Sequence, residues 1–245
     1  MPAQPTADFA GFPRALRFLR GLARHNEREW FEAHRADYEE HVLQPMRAFV
    51  DEMDARFAAL APEFVGDRRR SIFRIHRDVR FSRDKRPYKT NAACWLFHRD
   101  VGRTKGPYSA VAAAGFYFHL APGECFAGGG CWLPPAPGLR AIRAALVDDA
   151  DGFAATVRTA DFVARFGKLD EDEGAMLTRP PRGFPADGPA APWLRYKSFT
   201  ASESYTDADA TAADVADRAE RTFRALVPMA RWLNDALGHP RADRR

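Results

Sequence analysis

The sequence predicts an α+β fold in which a mainly antiparallel sheet is flanked by N-terminal and C-terminal helices. Hydrophobic residues repeat at helical spacing near both ends of the 245-residue chain, whereas the middle changes to alternating apolar and polar positions. The short turn "APGE" joins two of the alternating segments and favours an antiparallel hairpin. Helices followed by strands and again by helices are typical of α+β proteins.

The N-terminal part of the chain is predicted to form two helices. Leucines recur at helical spacing in residues 9–24, and a second apolar stripe follows. Asn26 is predicted to cap the second helix, with Glu29 completing a capping box. Pro45 lies within the second stripe, which predicts a kink or a break at that point because proline cannot donate a helical hydrogen bond.

The alternating pattern begins at residues 71–81, which are predicted to form the first strand. Arg77 falls on the apolar face of this strand, so it needs a carboxylate or carbonyl partner unless a bulge turns it outward. The glycines of "AGGG" predict a bulge or a close approach of a ligand or of backbone. Further strands are predicted at 91–98, 111–120, 125–133 and 193–201, and an amphipathic helix at 209–237.

Composition restricts the class of protein. The formal net charge of +4 is mild for this length, and no apolar run approaches the roughly 18 residues of a membrane span. The N-terminus lacks the pattern of a signal peptide, so we expect a cytoplasmic protein without membrane partners. Three cysteines without CxxC spacing predict neither a disulfide framework nor a metal site, and no cofactor motif is present.

Residues 74–89, "RIHRDVRFSRDKRPYK", are the most unusual chemical feature of the chain, and we call them the basic motif. Arginines and lysines crowd here around Asp78 and Asp84. Forked guanidinium groups suit oxyanions, so we expect a pocket for a phosphorylated or carboxylated small molecule. The predicted ligand-binding residues are Arg74, Arg77, Arg80, Lys85, Tyr88, Lys89, Tyr117 and Lys197, and the candidates for acid–base catalysis are Asp78, Asp84 and His119.

Two alternatives to this pocket stay open at the level of sequence. In the first, the basic motif is an internal ion-pair network of a structural or protein-interaction module. In the second, it contacts nucleic acid, with Tyr88 available for stacking, although the two interspersed aspartates disfavour an electrostatic stripe. The sequence does not separate an enzyme from a binding protein, and it does not define the oligomeric state.

The order of the motifs resembles that of one protein family. The segments "NEREWFEAHRADYEEHVLQP", "RIHRDVRFSRDKRPYKT" and "WLRYKSF" are similar to successive blocks of the bacterial and fungal family DUF2461, a domain of unknown function. The resemblance extends over residues 9–236 and implies a single domain there, with flexible tails at 1–8 and 238–245. It implies no activity, and no catalytic residue is carried over from it.

Overall fold

Helices form the N-terminal part of the protein, whose computed structural model describes residues 9–80, 84–101, 112–171 and 176–241. They are α1 (Ala15–Arg24), α2 (Arg28–Ala33), α3 (Arg35–Tyr38), a π-helical segment (Glu39–Leu43) and α4 (Gln44–Leu60). Pro45 lies in the first turn of α4, where its missing N–H is not needed. The helical backbone continues from the π-helical segment into α4, so the chain does not break at Pro45, and the predicted irregularity takes the form of the π-helical segment just before it.

The sheet has five antiparallel strands in the order β1-β2-β3-β4-β5. They are β1 (Phe64–Val65), β2 (Ala92–His98), β3 (Gly115–Leu120), β4 (Cys125–Cys131) and β5 (Phe199–Tyr205). The hairpin predicted from "APGE" is the β3–β4 pair, in which Phe118 lies opposite Ala127. The α+β prediction, with helices on both sides of the sheet in sequence, is confirmed.

Six helices follow the sheet hairpin along the described chain. They are α5 (Ala136–Asp148), α6 (Ala150–Val157), α7 (Ala160–Phe166), α8 (Ala191–Leu194), α9 (Asp207–Thr211) and α10 (Val215–Ala236). Among the residues that the structure describes, no helix combines the length and the apolar character required to cross a membrane.

The core lies between one face of the sheet and helices α4 and α10. Phe57 of α4 and Phe223 of α10 both contact Phe116 of β3, with ring centroids 4.9 and 5.3 Å apart. The glycines of β4 permit this packing, since a Cβ on Gly129 would lie 2.9 Å from the Phe116 ring and 3.3 Å from Leu226. The close approach predicted from "AGGG" is thus an approach of the protein's own core.

The predicted strand at 71–81 is wrong. Main-chain bonds join residues 71–73 to β2, as in Phe73 N to Ala93 O at 3.0 Å, but the chain then bonds to residues 87–89 instead. Only isolated bridges result, at Ile72 and at His76, because the segment changes partner halfway along its length. Phe81, Ser82 and Arg83 lie outside the described residues.

The strand predicted at 193–201 begins later than expected. Trp193 and Leu194 complete α8, which has Pro192 in its first turn, and β5 begins only at Phe199. Arg195 and Lys197 therefore lie before the strand and do not share a strand face.

Candidate functional site

A cleft of about 420 Å³ separates the N-terminal helices from the first half of the basic motif. The π-helical segment forms part of its wall through Glu39 and Leu43, and such segments often occur at functional sites. Aromatic side chains contribute further walls. The lining residues are Phe31, Arg35, Tyr38, Glu39, Leu43, Arg47, Arg68, Arg69, Ile72, Phe73, Arg74, Ile75 and His76.

Three arginines of the cleft have no carboxylate partner within 4 Å among the described residues. Arg47 comes from α4 and is half-buried, whereas Arg69 and Arg74 are exposed and flank the start of the irregular segment. An unpaired guanidinium group retains all five of its N–H donors for an outside acceptor. These three side chains place positive charge in the cleft that no carboxylate among the described residues neutralises within 4 Å.

The other two arginines of the cleft are already paired. Arg35 donates two hydrogen bonds to Glu32, at 2.7 and 3.0 Å, and Arg68 is paired with Asp51. Glu39 is the one carboxylate among the residues that line the cleft. With these partners counted, five guanidinium groups face three carboxylates, so the cleft carries an excess of two positive charges.

Lys89 lies close to the cleft but behind one of its walls. Its ammonium group is 5.5 Å from the centre of the Phe73 ring, and Phe73 lines the cleft. Burial lowers the pKa of Lys89, and the neighbouring charges of Arg74 and Arg77 lower it further. Lys89 therefore strengthens the positive potential around Arg74, which is the only predicted ligand-binding residue that lines the cleft.

The second half of the basic motif is neutralised locally. Asp78 accepts two side-chain hydrogen bonds from Arg80, at 3.0 and 2.7 Å. Asp84 is paired with Arg77 at 3.0 Å and also accepts hydrogen bonds from the guanidinium group of Arg86. The partner that Arg77 was predicted to need is thus Asp84.

Lys85 does not join this ion-pair cluster. Its ammonium group donates a hydrogen bond to the carbonyl oxygen of Val79 at 2.9 Å, which connects the two halves of the motif. Neither Lys85 nor Arg80 lines the cleft.

The electrostatics of Asp78 and Asp84 disfavour a role in proton transfer. Hydrogen bonds from Arg80 hold the pKa of Asp78 well below its usual value, and those from Arg86, with the charge of Arg77, do the same for Asp84. A carboxylate with such a low pKa is a weak base at neutral pH. Both aspartates fix arginine side chains in position.

Tyr88 belongs to the core and not to the cleft surface. Its side chain is 2% exposed and stacks on Phe31 with ring centroids 4.2 Å apart. Burial raises the pKa of the Tyr88 phenol. Since Phe31 lines the cleft, Tyr88 lies one ring behind the cleft wall and supports it.

Asn26 holds the main chain of Tyr88 in place. Its side-chain amide donates to the Tyr88 carbonyl oxygen at 3.1 Å, and its side-chain oxygen accepts from the Tyr88 N–H at 3.0 Å. The prediction that Asn26 caps a helix is wrong, because Glu27 precedes α2 and no side chain caps that helix. Asn26 instead connects the N-terminal helices to the basic motif.

Tyr117 and His119 lie next to each other on the sheet face away from the core. The Tyr117 hydroxyl and His119 Nδ1 are 3.0 Å apart, and the His119 ring stacks on Phe126 at 4.8 Å. Burial lowers the pKa of His119. Tyr117 contacts the edge of Phe73 at 5.6 Å, so it also lies one ring behind the cleft, and His119 does not reach it.

Lys197 lies at the opposite side of the sheet from the basic motif. It lies two residues before β5, the last strand in the sheet order, whereas residues 71–73 bond to β2. Strands β3 and β4 lie between the two positions. The structure therefore does not bring Lys197 together with Arg74.

The sequence did not identify most of the residues that line the cleft. The run "DRRR" at residues 67–70 stands out by composition and contains Arg68 and Arg69. Arg47 has no comparable signal, since it is one of many arginines in a helical pattern. Its position became apparent only through the packing of α4 beside the irregular segment.

These features define a class of protein with helices on one face of a five-stranded antiparallel sheet and an arginine-lined cleft beside an irregular basic segment. The chain belongs to the DUF2461 family, whose model, described as a conserved hypothetical protein, matches residues 14–232. No curated protein and no solved structure matches the chain.

Proposed function

We propose that the cleft binds a small molecule carrying a phosphate or carboxylate group. The observation that carries this proposal is the set of three guanidinium groups, from Arg47, Arg69 and Arg74, without carboxylate partners among the described residues. The other described arginines of the basic motif, Arg77, Arg80 and Arg86, have aspartate partners. Like charges that share a cleft repel one another, and an oxyanion relieves this repulsion while accepting paired N–H donors.

The size and the walls of the cleft suit a metabolite better than a bare ion. A volume of about 420 Å³ is within the range of small-molecule sites. The half-buried Tyr38 and Phe73 provide aromatic surface for the uncharged part of such a ligand. We therefore expect an anionic group at the arginines and an apolar or planar group against the rings.

Calorimetric titration with pyrophosphate and with citrate, at low ionic strength, tests the proposal. We expect saturable binding of at least one of them, and weaker binding in Arg69→Gln and Arg74→Gln. A hydrogen bond to a charged group contributes about 1.5–3 kcal/mol, so each variant should lose roughly 10- to 100-fold in affinity. Both arginines are exposed, and we expect both variants to fold normally.

Arg140→Gln is the matched control, because it removes the same charge from an exposed position of α5 that does not line the cleft. Equal affinity losses in all three variants would reduce the effect to net charge and contradict a site. Absence of saturable binding of both probes would also contradict the proposal. Nucleic-acid binding would instead give tight binding of DNA or RNA of any sequence, with a steep salt dependence.

An internal ion-pair network, the alternative to a pocket, is supported for the second half of the basic motif. The contacts of Asp84 with Arg77 and Arg86 join positions on both sides of the loop. In this proposal the motif has two roles: residue 74 belongs to the ligand site, and the described residues 77–80 and 84–86 maintain the shape of the segment.

A further inference from the structure

A cluster of metal-binding side chains lies at the end of the sheet, away from the residues that line the cleft. His98 is the last residue of β2, Asp100 follows in a turn, and His239 comes after α10. One potential ligand atom from each of the three residues lies within 4.8 Å of those of the other two. Residues far apart in sequence thus lie close together in the fold. Their spacing in the sequence does not match a metal-binding motif.

The hydrogen bonds of the two histidines orient their lone pairs. His98 Nε2 lies 3.2 Å from the carbonyl oxygen of Pro240, and His239 Nε2 lies 2.8 Å from that of Ala112. A carbonyl oxygen can only accept, so Nε2 carries the proton in both rings and Nδ1 carries a lone pair. The N–H of Asp100 lies 3.4 Å from His98 Nδ1, a long contact that requires the same tautomer and that is given up when a metal takes this lone pair.

Metal-binding histidines in proteins commonly have this arrangement. The ring nitrogen that does not bind the metal donates to a carbonyl or carboxylate, which fixes the tautomer and the ring orientation. Here both histidines already have this second partner, and their rings lie 5.3 Å apart. Asp100 Oδ2 lies 3.7 Å from His98 Nδ1 and adds a negative charge.

We propose that His98, Asp100 and His239 bind a divalent transition metal ion of the zinc class, through Nδ1 of each histidine and the Asp100 carboxylate. Two imidazoles and one carboxylate are a donor set suited to Zn²⁺, and they leave a fourth position for water or another ligand. His98 is fully buried, whereas the Asp100 side chain is 49% exposed, so the open position faces solvent on the Asp100 side.

The surroundings of the cluster are compatible with a cation. Glu63 is paired with Arg231, and Asp235 lies 3.7 Å from Arg241, so these charges compensate one another. Once these pairs are counted, the negative charge of the Asp100 carboxylate remains to attract a cation. Ligand atoms of a tetrahedral site with bonds of about 2.0–2.1 Å lie roughly 3.4 Å apart, and those of the cluster lie within 4.8 Å of one another, so closure requires shifts of no more than about 1.5 Å.

Cobalt binding to the untagged, full-length protein tests the proposal. The protein is first treated with a chelator, and the chelator is then removed. Addition of Co²⁺ should produce visible ligand-field bands that saturate at one equivalent of Co²⁺ per protein. Addition of Zn²⁺ should then abolish these bands by competition. Asp100→Asn and His239→Gln should each weaken Co²⁺ binding by at least roughly tenfold, since even residues outside the coordination sphere cause losses of that size. His98 is left unchanged because its substitution would disturb the core.

His25→Gln serves as the control, since it removes an exposed histidine near α1 that is not part of the cluster. Its Co²⁺ affinity should equal that of the unmodified protein. Thermal unfolding without metal shows whether each variant is folded before titration. The proposal is overturned if no saturable Co²⁺ binding occurs at one equivalent, or if folded Asp100→Asn and His239→Gln proteins bind Co²⁺ as tightly as the control.

Discussion

Asn26 connects two distant parts of the chain through paired hydrogen bonds to the main chain of Tyr88. Asn26→Ala removes both bonds and leaves main-chain groups of Tyr88 without partners, so we expect a loss of about 1–3 kcal/mol in the free energy of unfolding. Urea denaturation measures this loss. Because Tyr88 supports Phe31, the variant should also loosen the cleft wall.

Asn26→Asp distinguishes this role from helix capping. Aspartate is as good a cap as asparagine, so a capping role would leave stability unchanged. In the structure, however, an aspartate would place a carboxylate oxygen against the Tyr88 carbonyl oxygen. We expect Asn26→Asp to be at least as destabilising as Asn26→Ala. A fully stable Asn26→Asp protein would contradict the role of Asn26 in holding the main chain of Tyr88.

Asp84 links protein stability to pH. The pKa of Asp84 is lowered in the folded state, so its stabilising effect is complete above the unfolded value of about 3.9 and is lost as the pH falls through the folded value. We expect Asp84→Asn to unfold more easily at neutral pH, because Arg77 then loses its charged partner. The difference from the unmodified protein should shrink as the pH falls below about 3.9, and a constant difference would refute this linkage.

Single residues show what alternation in a sequence can and cannot predict. The inward position of Arg77 and its need for a partner followed from the pattern and are present in the structure. The pattern did not predict that Arg74 lines the cleft whereas Arg80 is paired with Asp78. These positions depend on the change of hydrogen-bond partner between residues 73 and 75, which is a property of the folded chain.

At the level of elements, Arg56 joins α4 to α10. It is bonded to Glu52 of its own helix and to Asp217 and Glu220 of α10, each at 2.7 Å. Glu52 is 2% exposed, so Arg56→Met removes the guanidinium group that compensates a buried negative charge. We expect a loss of about 3–5 kcal/mol in the free energy of unfolding, measured by urea denaturation.

The double variant Glu52→Leu with Arg56→Met completes this experiment. Replacing both members of a buried pair with apolar residues of similar volume is often neutral, so the double variant should recover most of the stability lost in Arg56→Met. A double variant whose loss equals the sum of the two single losses would show that the pair does not act as a unit.

Elements with one constant packing partner were the ones predicted correctly. The strand β3 and the helix α10 each present one face to the core throughout, so the period of their sequences matches their structure. Residues 71–81 and 193–201 have similar local patterns but exchange partners or complete a short helix first. The periodicity of a sequence predicts which residues are buried. It does not predict where a segment changes its hydrogen-bond partner or begins with a short helix.

At the level of the whole molecule, the fold class was predictable and the cleft was not. The cleft takes Arg35 and Arg47 from the helices and Arg69 and Arg74 from the segment after β1, so it exists only once these parts pack together. His98 and His239 are likewise brought together by the docking of the chain after α10. Sites assembled from separate segments leave no local pattern in one sequence.

The three cysteines report on the integrity of the whole core. Cys94, Cys125 and Cys131 are free and at most 3% exposed, and burial raises the pKa of Cys131 to about 12. The thiolate is the reactive form, so the folded protein should resist a thiol reagent at a pH near the ordinary thiol pKa of about 8.5. In guanidinium chloride all three thiols should react at once, and under native conditions their labelling should follow global unfolding. Rapid labelling of one thiol in the native protein would mean that its part of the sheet opens independently of the core.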